Sequence, residues 1–491
     1  MENLKKNFSK NNLFRQKINP EDGRIHFIAI GGIGMSGLAK VMLELGYKVS
    51  GSDIKNNSIM QSLENAGALI NTGHSAENIC DCSLIVVSSA IKQDNPELQE
   101  AVRQNIPIIH RAQLLETLMS GFGQKEKKFS IGVTGTHGKT TTSGMLAFAF
   151  EKAGRNPSFV VGGQLPLLNI NSRAGNGSCF ISELDESDGS IELYSPDITV
   201  ITNIEFDHAD HYESGLEQIL DTFERYVNQL GENAKLIINS DDSGNLRLLK
   251  RIDRANIITY SSDSSHIMHN NSDYRAEIIS TVPNAEMKVY RNGEFLGEVT
   301  LGIPGEHNIS NALGAIAAAL ESGIGFSDIS GVFKQFNGMK RRFQTVGYVK
   351  GARIIDDYAH HPTEIAKTLK TAKEITDSIN SGRVIAVFQP HRYSRLQNLW
   401  QDFVDAFRDA DIVYICDVYP AGEDPVDGIN SENLAKEIDY TGSFYIVGDM
   451  EKIAESVALE LRENDFVFTM GAGDITRLGQ IIVEKAGYVL K

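Results

Sequence analysis

The stretch Phe129-Ser-Ile-Gly-Val-Thr-Gly-Thr-His-Gly-Lys-Thr-Thr-Thr142 predicts an α/β fold built around a phosphate-binding loop. Its apolar start predicts a buried strand, and the residues from Met145 to Ala153 predict a helix. The loop between them consists of Gly135, Thr136, His137, Gly138, Lys139, Thr140 and Thr141. Backbone N–H groups at a helix start face an anion, the Lys139 ammonium reaches terminal phosphates, and the Thr140 hydroxyl can bind Mg²⁺. We therefore predict that this loop binds nucleotide phosphates.

The match to the usual phosphate-loop pattern is incomplete. Val133 stands where that pattern has its first glycine, so the loop follows the shorter Gly-Thr-His-Gly-Lys-Thr form. The alternative is an ordinary glycine turn between a strand and a helix. Such a turn does not require Gly-Lys-Thr at the helix start, so we favour the phosphate loop.

The composition restricts the class of protein. At about 100–200 residues per domain, a chain of 491 residues predicts two to four domains. A net charge of −17 argues against nucleic-acid binding and against attraction to anionic membranes. Phosphate ligands must then be bound by local basic clusters or by metal ions.

The cysteines and the N-terminal residues indicate a reduced, cytoplasmic protein. The four cysteines contain no Cys-x-x-Cys pair, so neither a disulfide framework nor a zinc site is indicated. Residues 1–22 are polar and lack an apolar core of signal-peptide length, and we expect a flexible tail there. No run approaches the roughly 18 apolar residues that a membrane-spanning helix needs. We expect no membrane insertion, and a monomer or weak dimer.

A second glycine motif follows the first predicted strand. Arg24 to Ile30 predicts that strand, and the loop Gly31-Gly-Ile-Gly-Met-Ser-Gly37 with its spaced glycines Gly32, Gly34 and Gly37 satisfies the dinucleotide fingerprint. Asp53 ends the next predicted strand about 20 residues on, as the fingerprint requires. The motif predicts a nucleotide diphosphate at a helix N-terminus without saying which nucleotide. The alternative is a glycine-rich turn that binds nothing.

Strands alternating with helices predict three α/β domains. The charged, glycine-containing stretch Gly121–Lys128 predicts a linker, and a second boundary falls near Gly325–Gly338. The predicted domains are a Rossmann-like one at 23–121, a central phosphate-loop domain at 129–328 and a Rossmann-like C-terminal one at 329–491. Residues 241–302 alternate in a β-type pattern but contain no motif that indicates a function.

Carboxylates follow a predicted strand of the central domain. Glu183 stands directly on the apolar run that begins at Cys179, and three more carboxylates follow at Asp185, Glu186 and Asp188. Carboxylates at strand ends beside a phosphate loop can hold Mg²⁺. A charge run can equally be a solvated loop, and this alternative stays open for the last three residues. His208 ends another strand region on the same predicted edge, although a lone histidine is often structural.

Two further groups are candidates for nucleotide contacts. Asn308 and Asn311, beside His307, would share a face at the start of a predicted helix from Ala312 to Glu321, where they could cap the helix or contact adenine. The cluster Lys340-Arg341-Arg342 contains no acidic residue, which makes Arg342 a candidate phosphate clamp. The alternative for this cluster is a solvated surface turn.

The combination of motifs resembles the Mur ligase family over nearly the whole chain. The blocks that carry the resemblance are Gly31–Gly37, Gly135–Thr140, Glu183–Asp188, Asn203-Ile-Glu-Phe-Asp-His208, Asp356-Asp-Tyr-Ala-His-His-Pro362 and Phe388-Gln-Pro-His-Arg-Tyr-Ser-Arg395. Six blocks in family order are far more specific than any one of them. Phe206 departs from the family pattern, in which proline is frequent at that position. This difference affects loop stiffness more than chemistry.

The resemblance implies a role for each residue of these blocks. The UDP-sugar would be bound by Gly32, Gly34, Met35, Ser36, Asp53 and His74. The ATP site would include the phosphate loop, His307, Asn308, Asn311, Arg342, Asp357 and His360. Thr140 and Glu183 would ligate one Mg²⁺, and His208 a second. The amino acid would be bound by Tyr358, His391, Arg392 and Arg395. The catalytic residues would be Lys139, Glu183, His208 and Arg342.

The resemblance implies an ATP- and Mg²⁺-dependent ligase that joins L-alanine to the lactyl carboxylate of UDP-N-acetylmuramate during peptidoglycan precursor synthesis. It also implies a mobile C-terminal domain. Within the family, the alternative substrate is a murein tripeptide in place of alanine. Outside it, the first glycine motif is also compatible with a nicotinamide-dependent dehydrogenase, and the phosphate loop with a nucleotide-gated binding protein. The dehydrogenase leaves Gly-Lys-Thr140 and the Arg342 cluster without a purpose, and the binding protein predicts nucleotide binding without substrate-dependent phosphate release.

Overall fold

The computed structural model describes residues 21, 23–121, 128–165, 168–209, 211–266, 269–438 and 449–488. These residues form two compact units. The first comprises the described residues up to Glu205, with Ile219–Tyr260 and Gly314–Ile329, and the second comprises Phe206–Gln218, Ser261–Leu313 and the described residues from Ser330 onward. Within these ranges every helix is too short or too polar to cross a lipid bilayer. The predicted tail and linker lie almost entirely outside the described residues.

The first sheet of the first unit is parallel, with the strand order β3-β2-β1-β4-β5. Its strands are β1 (Arg24–Ile28), β2 (Val49–Asp53), β3 (Leu69–Thr72), β4 (Cys82–Val87) and β5 (Ile108–His110). Its helices are α1 (Ile33–Glu44), α2 (Ser58–Asn65), α3 (Pro96–Arg103) and α4 (Arg111–Met119). The order reverses between β1 and β4, and ligands of such sheets bind at that crevice beyond the strand ends. The glycine loop after β1 therefore lies where a nucleotide is expected.

The phosphate-loop strand lies inside the second sheet of this unit. Seven strands run side by side in the order β12-β11-β10-β6-β9-β7-β8. They are β6 (Phe129–Thr134), β7 (Ser158–Leu165), β8 (Ile170–Arg173), β9 (Cys179–Glu183), β10 (Ile198–Ile201), β11 (Lys235–Asn239) and β12 (Ile257–Ser261). Helices wholly or partly in this unit are α5 (Lys139–Lys152), α6 (Leu216–Gln229), α7 (Ser243–Leu249), α8 (Glu306–Glu321) and α9 (Phe326–Ile329). Because β6 runs parallel to β9 and β10, the ends of these three strands share one edge.

The later part of the stretch without a recognisable motif forms antiparallel strands in the second unit. They are β13 (Tyr274–Ser280), β14 (Glu286–Arg291) and β15 (Glu294–Thr300), paired in that order. Asn292 and Gly293 connect β14 to β15 with φ angles of 50° and 83°. Two residues at positive φ make the tight turn that fits the twist of a hairpin.

The third sheet lies in the second unit, with the order β16-β17-β20-β18-β19. Its strands are β16 (Gln344–Val349), β17 (Ala352–Asp357), β18 (Val384–Phe388), β19 (Ile412–Ile415) and β20 (Phe466–Met470). The helices are α10 (Pro362–Ser378), α11 (Tyr393–Asn398), α12 (Trp400–Asp405), α13 (Ser431–Glu437), α14 (Met450–Glu460) and α15 (Leu478–Tyr488). Apolar clusters include alternate residues of the strands, such as Phe388 in one and Val387 in the other. The sheet, which is parallel except for its edge strand β16, is therefore buried between helices.

The α/β fold class predicted from the sequence is confirmed, whereas several helix boundaries differ from the prediction. Helix α5 begins at Lys139 rather than near Met145, and α8 begins at Glu306 rather than at Ala312. In both cases polar residues that the sequence places in a loop form the first helical turns. This matters for function, because Lys139, Thr140, His307 and Asn308 all lie at helix starts.

Candidate active site

The phosphate loop of the first unit has a conformation that requires glycine. Gly135 has φ +122°, and a Cβ there would lie 2.7 Å from the carbonyl oxygen of Asn203. Gly138, at φ +82°, immediately precedes helix α5. Asn203 holds the loop in place, because its carbonyl accepts from Thr136 N–H at 3.0 Å and its side-chain oxygen from His137 N–H at 2.8 Å. The amides left for an anion are then those of the first turn of α5, which have no partner within a helix.

Lys139 is held against its own loop. Its ammonium donates to the carbonyl oxygens of Gly135 at 2.5 Å and Thr136 at 3.0 Å, and to Glu186 Oε1 at 2.8 Å. Burial disfavours the charged amine, but the carboxylates of Glu186, Glu183 and Asp185 outweigh it and raise the pKa of Lys139. The side chain is therefore a preorganised cation at the phosphate loop.

The carboxylates after β9 are buried or paired with a cation rather than freely solvated. Glu186 is 2% exposed, and burial raises its pKa to about 7. Asp185 and Asp188 pair with Arg111, and Asp188 Oδ2 also lies 3.5 Å from His110 Nε2. The open alternative of a solvated charge run therefore does not describe this segment.

Thr140 and Glu183 form a donor set that fits Mg²⁺. Glu183 ends β9, and its Oε2 accepts from Gly162 N–H at 2.9 Å, which leaves its second oxygen available. A hydroxyl and a carboxylate are the hard oxygen ligands that Mg²⁺ prefers, with waters completing its shell. His208 belongs to the second unit, where its Nε2 lies 3.7 Å from Asp207 Oδ2. The metal roles of all three residues stay predictions.

The N-terminal glycine loop is fixed by Asp53. Gly31 N–H donates to Asp53 Oδ2 at 3.0 Å, so this carboxylate has a structural role in addition to the predicted ligand contact. Helix α1 then begins without a side-chain cap and without an acidic residue in its first turn. The hydroxyl and amide of Ser36 donate to Ile33 and Gly32 at 3.0 and 2.9 Å, so they are not offered to a ligand in this arrangement. The amides beside Gly34 and Met35 are the ones that can bind an anion.

His74 lies beside this loop in a polar network around Glu97. The Nδ1 of His74 lies 2.9 Å from Ser52 Oγ and 3.2 Å from Glu97 Oε2. Glu97 is fully buried and also accepts from Asn78 at 2.6 Å. Burial works against its charge, but hydrogen bonds from His26, Ser52 and Asn78 lower the pKa of Glu97 below its ordinary value. An ionised carboxylate therefore orients His74.

In the second unit, Glu364 joins two of the predicted ATP contacts. Its Oε1 lies 3.2 Å from Arg342 Nη1, and its Oε2 lies 3.2 Å from both the backbone nitrogen and Nδ1 of His360. Asp357 ends β17 and accepts from the amides of Phe343 at 2.7 Å and Ala359 at 2.8 Å. Burial raises the pKa of Asp357 to about 6. Arg342, Asp357 and His360 thus lie close together, and their contacts with ATP stay predictions.

The predicted adenine contacts lie in the first turns of α8. Asn308 Nδ2 donates to the carbonyl of Pro304 at 2.6 Å, and Asn311 Nδ2 lies 3.4 Å from Asn308 Oδ1. Burial and the charge of Lys367 lower the pKa of His307 to about 3, so the imidazole is neutral. Asn308 therefore has a structural partner before the helix, and its role toward adenine stays a prediction.

Of the predicted amino-acid residues, Arg395 belongs to a buried ion pair of the second unit, and His391 and Arg392 lie near it. Arg395 donates through Nε to Asp207 Oδ1 at 3.0 Å and through Nη2 to Oδ2 at 3.3 Å. Burial opposes ionisation of Asp207, but Arg395 keeps the pKa of this carboxyl well below its ordinary value. Both residues line a small pocket together with Arg392 and His208. His391 stacks on Tyr419 with ring centroids 5.6 Å apart.

Arg392 has a strained backbone at this pocket. Its φ is +71°, which is unusual for a residue other than glycine, and its amide donates to Tyr419 O at 2.9 Å. Such strain persists where the surroundings fix it and is frequent at ligand sites. Arg395 is bound to Asp207, and Arg392 Nη1 lies 3.9 Å from Glu423 Oε1, so each of the two arginines has a carboxylate beside it.

Sequence reasoning missed three residues that organise these sites. Asn203 and Asp207 lie within one of the quoted blocks and Glu364 follows another, yet none was assigned a role. Their positions in the chain could have identified two of them. Asn203 follows β10 at the edge shared with the phosphate loop, and Glu364 lies in the first turn of α10. Each has a hydrogen-bond partner distant in sequence, His137 for Asn203, Arg395 for Asp207 and Arg342 for Glu364, so pattern alone did not identify them.

Comparisons with known proteins agree with this architecture. Three family profiles match, described as the Mur ligase family catalytic domain at residues 24–123, the Mur ligase middle domain at 133–319, and the Mur ligase glutamate ligase domain at 341–473. A protein of Geobacter sp. strain M21 named UDP-N-acetylmuramate–L-alanine ligase is 42% identical over 462 residues, which are 94% of this chain and 97% of the relative.

Solved structures show the same relationship. A UDP-N-acetylmuramate-alanine ligase from Thermotoga maritima aligns with a TM-score of 0.78 and 28% identity, over 95% of this chain and all of that one. A murein peptide ligase from Psychrobacter arcticus aligns with a TM-score of 0.68 and 24% identity, over 95% of this chain and 99% of that one, a likeness that bears on the fold alone. With its three matching domains and a relative 42% identical over almost its full length, the chain belongs to the Mur ligase family.

Proposed function

We propose that this protein is an ATP-dependent ligase that joins L-alanine to the lactyl carboxylate of UDP-N-acetylmuramate, a step in the synthesis of peptidoglycan precursors. The observation that carries the proposal is the 42% identity, over 94% of the chain, to a relative named for that reaction. The arrangement of the sites supports it, because the chain contains both a diphosphate-type glycine loop and an ATP-type phosphate loop.

A carboxylate reacts poorly with an amine because its leaving oxygen is poor. One lactyl oxygen therefore attacks the γ-phosphorus of ATP. The bond between this phosphorus and the oxygen that bridges to the β-phosphate breaks, ADP departs, and the lactyl carboxylate becomes an acyl phosphate. Such transfer between anions depends on positioning and on charge neutralisation. Lys139, with its raised pKa, provides a fixed positive charge at the phosphate loop. We assign the same task to Arg342.

The amine of L-alanine then attacks the acyl carbon, and inorganic phosphate leaves as the amide forms. We assign the alanine carboxylate to Arg392 and the enclosure of the alanine to His391 and Tyr358. Arg395 serves mainly to hold Asp207 and His391, to which it donates at 3.0 and 3.3 Å. Since water would hydrolyse an acyl phosphate, exclusion of water from the site would favour the amide product.

Mg²⁺ would be held by Thr140 and Glu183, with His208 at a second ion, and would supply positive charge to the phosphates. We place the UDP moiety at the glycine loop with Gly32, Gly34, Met35, Asp53 and His74. We further propose a cytoplasmic location and a monomer or weak dimer. Light scattering after size exclusion would test the last point.

The decisive experiment measures phosphate release with ATP, Mg²⁺ and UDP-N-acetylmuramate against a panel of amine substrates. We expect release that depends on both the UDP-sugar and L-alanine, with the amide detected by mass spectrometry. The panel includes glycine, L-serine and the tripeptide L-alanyl-γ-D-glutamyl-meso-diaminopimelate. Faster release with the tripeptide than with L-alanine would contradict the proposal. Release without any amine would also contradict it.

A further inference from the structure

One arginine that no motif singled out lies beside the N-terminal glycine loop. Arg111 is the first residue of helix α4, directly after strand β5. A Cβ built on Gly34 would lie 3.7 Å from Arg111 Nη1. The guanidinium is thus next to the backbone that the fingerprint assigns to a diphosphate, and 19% of the side chain is exposed.

The two terminal nitrogens of Arg111 face different groups. Nη2 pairs with Asp185 and lies 3.9 Å from Asp188 Oδ2, whereas Nη1 is the nitrogen next to Gly34. Asp185 and Asp188 belong to the segment that follows β9. The carboxylates therefore hold one end of the planar group and fix its orientation, and the other end is directed toward the glycine loop.

The glycine loop needs a cation. The start of α1 offers only partial positive charge from its amides, and its first turn contains neither a cap nor a charged residue. The protein as a whole carries a net charge of −17, so an anionic diphosphate gains nothing from the long-range field. A guanidinium is suited to the task, because its planar set of N–H donors matches phosphate oxygens and it stays charged.

We propose that Arg111 binds the diphosphate of the UDP-sugar through Nη1, opposite the amides at Gly34, while Asp185 and Asp188 hold the guanidinium in register. This inference rests on the UDP-sugar site of the proposed function and adds a residue to it. Arg111 is then a substrate-binding residue, and the two aspartates are positioning residues.

The alternative is that Arg111 only fastens α4 to the segment after β9. A second contact of the same helix provides a matched control, because Glu116 Oε2 accepts from the backbone nitrogen of Ser195 at 3.0 Å. Glu116→Gln weakens the contact between α4 and the segment after β9, five residues further along the helix. A merely structural Arg111 would respond like Glu116.

The test compares binding of UDP-N-acetylmuramate, UDP and uridine by calorimetry. We expect Arg111→Gln to weaken both diphosphates by about 10- to 100-fold, the worth of a hydrogen bond to a charged group, and to leave uridine unchanged. Arg111→Lys keeps the charge and therefore the contact of α4 with the segment after β9. It loses the planar set of N–H donors, so it should also weaken binding of the diphosphates. Glu116→Gln should leave all three affinities unchanged.

The outcomes separate this inference from the function on which it rests. If the wild type binds neither UDP-N-acetylmuramate nor UDP, the proposed function fails and the inference falls with it. If the wild type binds them and both Arg111 variants bind equally well, the inference alone is overturned. Equal losses for uridine and UDP in the Arg111 variants would also overturn it, since they would indicate a structural role. If Arg111→Gln does not fold, Arg111→Lys decides by the same criteria.

Discussion

Lys139 is a residue whose identity was predictable but whose surroundings were not. The Gly-Lys-Thr pattern predicted a cation at a helix start, and the structure places Lys139 as the first residue of α5. The pattern did not predict Glu186 at 2.8 Å from the ammonium, because that contact joins residues 47 positions apart. The carboxylate keeps the amine charged and oriented before any phosphate arrives.

We expect Lys139→Ala to reduce ligase activity by a factor on the order of 100 or more, because a preorganised phosphate donor is lost. Binding of UDP-N-acetylmuramate should persist, since the glycine loop belongs to a different sheet of the first unit. Steady-state kinetics and calorimetry provide the two measurements. Lys152→Ala, at the last turn of the same helix, is the control and should stay near wild-type activity. More than a tenth of wild-type activity in Lys139→Ala would contradict the assignment.

Arg342 tests the second unit at the same scale. Its guanidinium lies between Glu364 and the Tyr358 ring, with Glu364 Oε1 at 3.2 Å and the ring centroid at 5.2 Å. Arg342→Lys retains the charge but loses both the planar set of guanidinium N–H donors and the contact of the guanidinium with the Tyr358 ring. We expect kcat to fall by about tenfold with a smaller change in the KM for ATP, the pattern of a contact made in the transition state.

The control for Arg342 is the exposed neighbour Lys340, whose replacement by alanine should leave kcat unchanged. If the cluster were a solvated surface turn, both variants would behave alike. A kcat for Arg342→Lys within about twofold of wild type would remove Arg342 from the catalytic residues.

At the scale of elements, strands that precede glycine loops were predictable because both faces of a parallel sheet are apolar. The hairpins at residues 274–300 were not recognised, although Asn292-Gly293 between two alternating runs is the signal of a two-residue hairpin turn. The start of α8 was placed six residues late, because His307, Asn308 and Asn311 are weak helix formers. Tertiary packing overrides that local preference.

The glycine loop after β1 provides a prediction for an element rather than a side chain. A Cβ at Gly34 would make only an ordinary 3.7 Å contact with Arg111, so the fold should tolerate Gly34→Val. The added methyl groups would instead block approach of a diphosphate to the backbone. We expect the KM for UDP-N-acetylmuramate to rise at least about tenfold, with an unchanged melting temperature and KM for ATP.

Ser36→Ala is the matched control in the same helix start. Its hydroxyl and amide are bonded within the loop and helix, at 3.0 and 2.9 Å, so the KM for the UDP-sugar should change little. If Gly34→Val bound UDP-N-acetylmuramate as wild type does, the N-terminal site would have to be placed elsewhere. A similar rise of the KM in Ser36→Ala would restore a direct ligand role for that serine.

At the scale of the whole molecule, composition predicted two to four domains and the need for local cations. It did not predict that cations and acids would be paired in advance, as in Lys139 with Glu186 and Arg395 with Asp207. Net charge is a sum over all charged residues, whereas these ion pairs depend on which parts of the chain the fold places side by side. The sign of the charge is therefore readable from the sequence, and its placement is not.

Two partly buried histidines of the second unit, His307 and His391, predict how the whole protein responds to acid. Burial lowers the pKa of His307 and of His391 to about 3, and neighbouring cations add to the effect, whereas an unfolded histidine titrates near 6.5. Between pH 6.5 and 3 the unfolded chain therefore binds more protons than the native protein does at these positions. Their contribution to stability is present above pH 6.5 and is lost as the pH falls, by about 1.4 kcal/mol per pH unit for each histidine.

Other groups act in the opposite direction, because burial raises the pKa of Glu186 to about 7 and of Asp357 to about 6. Each of these carboxyls favours the native state as the pH falls toward its ordinary pKa. The histidine effect is therefore isolated by difference: His391→Gln should melt closer to wild type at pH 5 than at pH 7, with a gap that narrows by about 2 °C or more. His307→Gln should behave likewise, and His266→Gln, outside both sites, is the control. A gap that stays constant across this range would show that the two imidazoles do not remain neutral in the native protein.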